Sequence, residues 1–225
     1  MAVFDKKATD YDRWYESKLG EFVDKVETEL AFSLFEPVHG MKILDAGCGT
    51  GNFSMKLAEK DCEVVGIDVS EKMLNEARKK VAEKGLNIKF YNMDVCNMSF
   101  PDEKFDGVFS MAAFEFIKEP EKAYKEMYRV LKQNEYLLIG TINRESKWGE
   151  FYISKSLRGD SIFKYADFKS SDDLKSWNGR EIVDSGECLF IPPDVEENNI
   201  NMEYEKKLSC SEKGGFVCVL WKKGT

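Results

Sequence analysis

The chain has 225 residues, 43% of them apolar and 13% aromatic, with a formal net charge of −8. That length predicts one α/β domain over residues 1–225, with enough apolar surface to fold without disulfide or metal staples. The acidic balance excludes a nucleic-acid backbone as the main partner, because phosphate binding needs clustered, unopposed Lys and Arg. It suits a neutral or cationic small molecule. Six cysteines (Cys48, Cys62, Cys96, Cys188, Cys210 and Cys218) form no CxxC pair, so free thiols and no metal site are expected. Residues 1–20 lack a signal-peptide core, and no run approaches the ~20 apolar residues needed to cross a bilayer. A cytoplasmic protein is the expectation.

In chain order, Leu19, Phe22, Val23, Val26 and Leu30 recur at helical spacing, which predicts an amphipathic helix ending before Pro37 and Gly40. Residues 1–40 thus read as a helical cap. Strand-like runs follow at 42–46, 63–69, 88–94, 105–111 and 135–142, separated by helical stretches. Alternation of this kind predicts a parallel sheet covered by helices, with residues 41–142 as its core. Ser70 is placed to cap a helix carrying Met73, Ala77 and Val81 on one face, and Pro120 to open another that buries Ala123, Met127 and Val130. Residues 143–180 lose the pattern but hold Trp148, Phe151, Tyr152, Phe163, Tyr165 and Phe168, and read as an inserted cover. Two last strands are expected at 181–191 and 216–222, within a final segment 181–225.

Chemistry concentrates in ILDAGCGTGNFS, residues 43–54, where an apolar strand runs into Gly47, Gly49 and Gly51 and then a helix. Such a turn needs glycine for positive φ and for close backbone approach to a ligand. The helix start beyond it offers free N–H groups that suit a carboxylate or a phosphate. Asp68 ends the next strand, close to the ~20-residue offset at which an acid accepts bonds from ribose hydroxyls. Asp94 follows the third strand, where a carboxylate can take an adenine amino group, or simply cap its loop. The run KFDGVFSM, residues 104–111, brings a fourth strand end to the same place.

This set resembles the class I S-adenosylmethionine-dependent methyltransferases, most nearly the branch of the ubiquinone/menaquinone-biosynthesis enzymes and their small-molecule relatives. The resemblance implies a Rossmann-like seven-stranded sheet, order 3-2-1-4-5-7-6 with the last strand antiparallel, sandwiched by helices. It also implies S-adenosyl-L-methionine as cofactor. Asp45, Gly47, Gly49 and Gly51, with Cys48 among them, match the acidic-x-Gly-x-Gly-x-Gly loop around the methionine part. By the same resemblance Asp68 is the ribose acid, Val69 and Met73 flank adenine, Asp94 and Val95 line its amino edge, and Ser110 and Met111 face the sulfonium.

One departure stands out. Many relatives carry a histidine soon after the fourth strand, whereas this chain has only His39, before the first strand and read as a solvated loop residue. Also missing is the Asn/Asp-Pro-Pro-Tyr/Phe motif that grips planar amines in nucleic acids and protein amides. No catalytic residue is assigned; Glu115 and Tyr15 are candidate bases that read more readily as structural. The expected reaction is in-line methyl transfer to a small-molecule acceptor, served mainly by positioning. Two rivals remain: a protein that binds the cofactor without transferring its methyl, and an NAD-dependent oxidoreductase, disfavoured because the third glycine comes one place early for G-x-G-x-x-G. Tyr11, Trp14 and Tyr15 share one helical face and, with Trp148, Phe151 and Tyr152, are expected to cover the acceptor. Monomer and homodimer are both open.

Overall fold

The computed structural model describes residues 12–157 and 162–224. A 3-10 turn, Asp12–Glu16, leads into helix α1 (Lys18–Leu34), whose first turn is capped by Ser17 accepting from the Gly20 amide at 3.1 Å. Then come β1 (Lys42–Ala46), α2 (Asn52–Ala58), β2 (Glu63–Asp68), α3 (Glu71–Glu83), β3 (Lys89–Asn92) and β4 (Phe105–Met111). A short turn at Phe114–Phe116 precedes α4 (Pro120–Val130) and β5 (Leu131–Ile142). The chain closes with α5 (Lys147–Leu157), α6 (Ser171–Ser176), β6 (Ile182–Cys188), α7 (Met202–Leu208) and β7 (Phe216–Lys222).

The strands form one sheet in the order β3-β2-β1-β4-β5-β7-β6. Strands β1 to β5 run parallel, and β7 lies antiparallel to both β5 and β6. This is the expected Rossmann-like order. Period-two alternation sorts its side chains: Val108 of β4 joins Ala123, Met127 and Val130 of α4, while the next residue, Phe109, joins Phe22, Val23 and Val26 of α1 on the other face. Leu74, Ala77 and Val81 of α3 pack on Phe90 of β3. Ser70 caps α3 as expected, accepting from the Met73 amide at 3.3 Å.

Several strand boundaries differ from the sequence reading, most of all in the last part of the sheet. Strand β5 begins at Leu131, directly off α4, because residues 132–135 bulge between the pairs Phe105–Leu131 and Gly107–Tyr136, with Asn134 at φ 64°. Strand β6 stops at Cys188 because Leu189 turns the chain at φ 65°. Helix α7 follows, and buried Glu205 on it accepts from the amides of Phe190 and Ile191 at 2.8 and 3.0 Å. Among the described residues no helix is long and apolar enough to cross a membrane.

Candidate active site

Strand order reverses around β1, with β2 and β3 on one side and β4 and β5 on the other. Loops leaving the carboxyl ends of β1 and β4 must therefore diverge, which opens a crevice at that edge. A cavity of about 380 Å³ lies there, walled by the glycine loop, the ends of β2 and β4, residues 93–96 and one face of α1. The loop hangs from β2, since the amides of Gly47 and Cys48 both donate to the Ile67 carbonyl, at 2.8 and 2.9 Å. Gly49 has φ 54° and lies against the cavity, where a Cβ would stand 3.3 Å from the Met73 methyl. Gly51 serves differently: it starts α2 at φ 78°, and a Cβ there would press on Ala77 and the Phe90 ring at 3.1 Å. It lies outside the cavity wall, a correction to its expected cofactor contact.

Three acids stand at successive strand ends. Asp68 accepts from the Gly49 amide at 3.0 Å through one oxygen and from the Ser70 amide at 2.8 Å through the other. Asp45, 1% exposed, accepts from the Ser54 hydroxyl at 2.5 Å. Burial pushes its carboxyl up to about 7, opposed by the Ser54 bond and aided by the charge of Asp68. Asp94 caps its own loop, accepting from the Cys96 amide at 2.8 Å, and lines the cavity as well. Cys48, Val69, Met73, Val95 and Met111 complete this side. Cys48 is a buried thiol raised well above its usual range by desolvation, so it is a wall and not a nucleophile. Ser110 does not reach the cavity. Its hydroxyl donates to the Ala46 carbonyl at 2.7 Å inside the sheet, because neighbours on a strand point to opposite faces.

The residues expected to cover the acceptor lie in different places. Tyr15 lines the cavity, and Trp14 meets it edge-on at 5.0 Å but stays 39% exposed, outside the wall. Tyr11 lies outside the described residues. Trp148, Phe151 and Tyr152 stand away from the cavity. Trp148 is core, 3% exposed with its indole N–H on the Ile191 carbonyl at 2.7 Å, and its ring packs against Phe151 and Tyr152. Glu115 is buried and accepts from the Ile142 amide at 2.6 Å, fixing the turn after β4 to the end of β5. His39 is a surface residue 3.8 Å from Asp61.

Several wall residues gave no sequence signal. Asp12 accepts from the Thr50 hydroxyl at 2.7 Å, the Asn52 amide group at 3.1 Å and the Lys80 ammonium at 2.7 Å, fastening the N-terminal turn to the glycine loop. Asp24, Glu27 and Thr28 of α1 line the cavity. They sit at i, i+3 and i+4 on the helix's polar face, which in sequence looks like any solvated face. Ala112 and Ala113 form a turn in which Ala112 takes φ 50°, a conformation that alanine does not advertise. Among the described residues no group of His, Cys, Asp and Glu could hold a metal ion.

Residues 43–134 match the family described as a methyltransferase domain. The chain is 33% identical over 224 residues to an uncharacterized protein of Methanocaldococcus jannaschii, covering 97% of this chain and 98% of that one. A solved structure from Thermotoga maritima, described as a SAM-dependent methyltransferase and possible histamine N-methyltransferase, is 25% identical, with TM-score 0.77 over 98% of both chains. The chain belongs to the class I S-adenosylmethionine-dependent methyltransferases. A further relative, demethylmenaquinone methyltransferase of Bacteroides fragilis, is 31% identical over 141 residues, 61% of this chain and 57% of that one. The methyltransferase's cofactor is S-adenosylmethionine, and the donor set fits it. Asp68 brings an acceptor-only carboxylate to the cavity, the chemistry that suits ribose hydroxyls, while Met73, Val69 and Val95 offer apolar surface to a flat base.

Asp45 makes the fold pH-sensitive in a defined direction. Its folded pKa, about 7, lies above its ordinary 3.8, so its contribution is fully present below 3.8 and is lost as pH rises through about 7. Asp45→Asn removes that slope. Urea denaturation across this range should show wild type losing on the order of a few kcal/mol more than the variant. Parallel profiles for the two proteins would show that Asp45 is ionised throughout.

Proposed function

We propose that the whole chain, residues 1–225, acts as one methyltransferase domain that transfers a methyl group to a small-molecule acceptor by in-line displacement. The observation that carries this reading is that one cavity joins the adenosine-side acids Asp68 and Asp94 to a second set of walls, Tyr15 and the α1 face. Resemblance to the ubiquinone/menaquinone-biosynthesis branch, and the demethylmenaquinone methyltransferase relative, support a small diffusible acceptor. Six free cysteines accord with a cytoplasmic setting.

In this reading Asp68 holds the ribose hydroxyls, Asp94 the adenine amino group, and Asp45 with the Gly47–Gly49 backbone the cofactor's amino-acid tail. When bound, the cofactor supplies an activated methyl. The chain's task is then to aim the acceptor and exclude water, since positioning alone can remove much of the barrier. The N-terminal turn is suited to that, because Asp12 ties it to the loop that grips the donor. In this reading the cover comes from the N-terminal turn and α1, which put Tyr15, Asp24, Glu27 and Thr28 in the cavity wall.

Calorimetry with S-adenosylhomocysteine tests the donor side. Asp68→Ala should weaken binding roughly ten- to a hundredfold, about 1.5–3 kcal/mol for lost charge-assisted bonds. Asp102→Ala, which removes only a surface pair of Arg129 with an acid 75% exposed, should change it little; equal losses would remove Asp68 from the site. On the acceptor side, Tyr15→Ala should leave S-adenosylhomocysteine affinity within a fewfold while kcat/KM for the acceptor falls about tenfold, some 1.4 kcal/mol. Unchanged acceptor kinetics would place Tyr15 outside the acceptor wall.

A further inference from the structure

The cavity walls are unequal in charge. Among the described residues, Asp24, Glu27, Asp45, Asp68, Asp94 and Glu119 line it against a single cation, Lys118. Three of these acids stand at the ends of β1 and β2 and after β3, where the donor is held. Asp24 and Glu27 stand elsewhere, one turn apart on α1, which packs against β6 and β7 at the opposite flank of the sheet. The electrostatic neighbours of Glu27 confirm the flank: Glu115 after β4, Cys188 on β6 and Cys218 on β7.

Asp24 is partly neutralised, with Lys56 at 2.5 Å on one oxygen. Lys56 is also committed to the Thr28 hydroxyl at 2.6 Å, and that hydroxyl donates to the Asp24 carbonyl. Glu27 is different. Among the described residues its side chain has no hydrogen bond or ion pair, and it is half-buried and faces the cavity. Behind it Glu115, 1% exposed, leaves Oε2 without a hydrogen-bond partner. Desolvation, then the charges of Asp24 and Glu115, push the Glu27 carboxyl well above its ordinary range. A half-buried carboxyl without a partner gains its charged form at little cost once a ligand supplies a cation beside it. A neutral alcohol or phenol would bring no charge to Glu27, and an anionic acceptor would be repelled. A protonated amine supplies that charge, and Tyr15 lines the same cavity.

We propose that the methyl acceptor is a small amine that enters as its ammonium ion, and that Glu27 binds the accepting nitrogen and takes its proton. This rests on the cofactor reading given above. The chemistry balances as follows. The ammonium proton passes to the Glu27 carboxylate, freeing the nitrogen lone pair. That pair forms the N–C bond to the methyl carbon as the C–S bond breaks, and the bonding electrons go to sulfur. The N-methylated ammonium and the thioether product leave, and the proton on Glu27 returns to solvent. The raised carboxyl suits a base that must accept a proton near neutrality.

The test uses the full chain in three measurements. Calorimetry with S-adenosylhomocysteine reports on the donor site of wild type and Glu27→Gln, which should agree within about threefold. Transfer of labelled methyl is then scored on matched pairs: phenethylamine with phenethyl alcohol, histamine with histaminol, putrescine with butanediol, and catechol as an acidic hydroxyl. At least one amine should be methylated and its alcohol not. Glu27→Gln should lower kcat/KM for that amine at least about tenfold, and Glu27→Asp should recover part of the loss. Finally, that amine titrated into the S-adenosylhomocysteine complex should bind wild type at least about tenfold more tightly than Glu27→Gln, independent of turnover. Since Glu27→Gln removes an unpartnered carboxyl without changing shape, it should unfold no earlier than wild type.

Failure of S-adenosylhomocysteine to bind wild type would overturn the cofactor reading itself. With that binding intact, methylation of catechol or the alcohols but of no amine would overturn the amine assignment alone, as would no transfer to any acceptor in the panel. A Glu27→Gln protein with wild-type amine kinetics would remove Glu27 from the reaction. One whose S-adenosylhomocysteine affinity falls as far as its turnover would assign Glu27 to the donor instead.

Discussion

The site depends on a single carboxylate. Asp68 receives the Gly49 amide on one oxygen and the Ser70 amide on the other, so the loop after β1 and the helix start after β2 are both suspended from one side chain. Neither amide belongs to a side chain that could be exchanged for another donor, and both carry charge-assisted bonds, which are about twice as strong as neutral ones. Asp68 also lines the cavity, where a ribose can meet its carboxylate.

A second carboxylate sets the other wall. Asp12 gathers Thr50, Asn52 and Lys80, and Lys80 is drawn far enough from water that desolvation lowers its pKa despite the pairing. The N-terminal turn carrying Tyr15 is therefore fastened to the same glycine loop that Asp68 holds from the opposite side. Donor loop and acceptor wall form one mechanically continuous unit, joined through side chains of residues 50 and 52. Asp45 differs from both acids: it is almost wholly buried and held by Ser54, and its protonation state responds to whatever charge enters the cavity.

What the sequence made legible was local chemistry with a strict backbone demand. The strand, the glycines and the later acid need one another in a narrow register, so Gly47, Gly49 and Asp68 could be placed in space before any coordinates, and the alternating strands carried the sheet order through resemblance. Gly51 was read as a ligand contact because glycine at a loop end looks the same whether it makes room for a ligand or for Ala77 and Phe90. Ser110 was misplaced by one residue's worth of pleat. The aromatic insert misled for a physical reason: Trp148 has apolar bulk suited to a pocket wall or a core, and composition cannot distinguish them, whereas its bond to the Ile191 carbonyl does. Asp12, Asp24 and Glu27 were illegible because a polar residue on an amphipathic helix or a turn reads as solvated, and only the fold shows Asp24 and Glu27 in the cavity wall and Asp12 fastened to the glycine loop.

The most direct measurement is a crystal structure of the chain with S-adenosylhomocysteine bound. The account predicts both ribose hydroxyls within about 3.2 Å of the Asp68 carboxylate, with the Gly49 and Ser70 amides still donating to it and the adenine between Met73 and residues 94–95. A ligand bound with its ribose away from Asp68, or an Asp68 side chain that leaves Gly49 to reach it, would contradict the account.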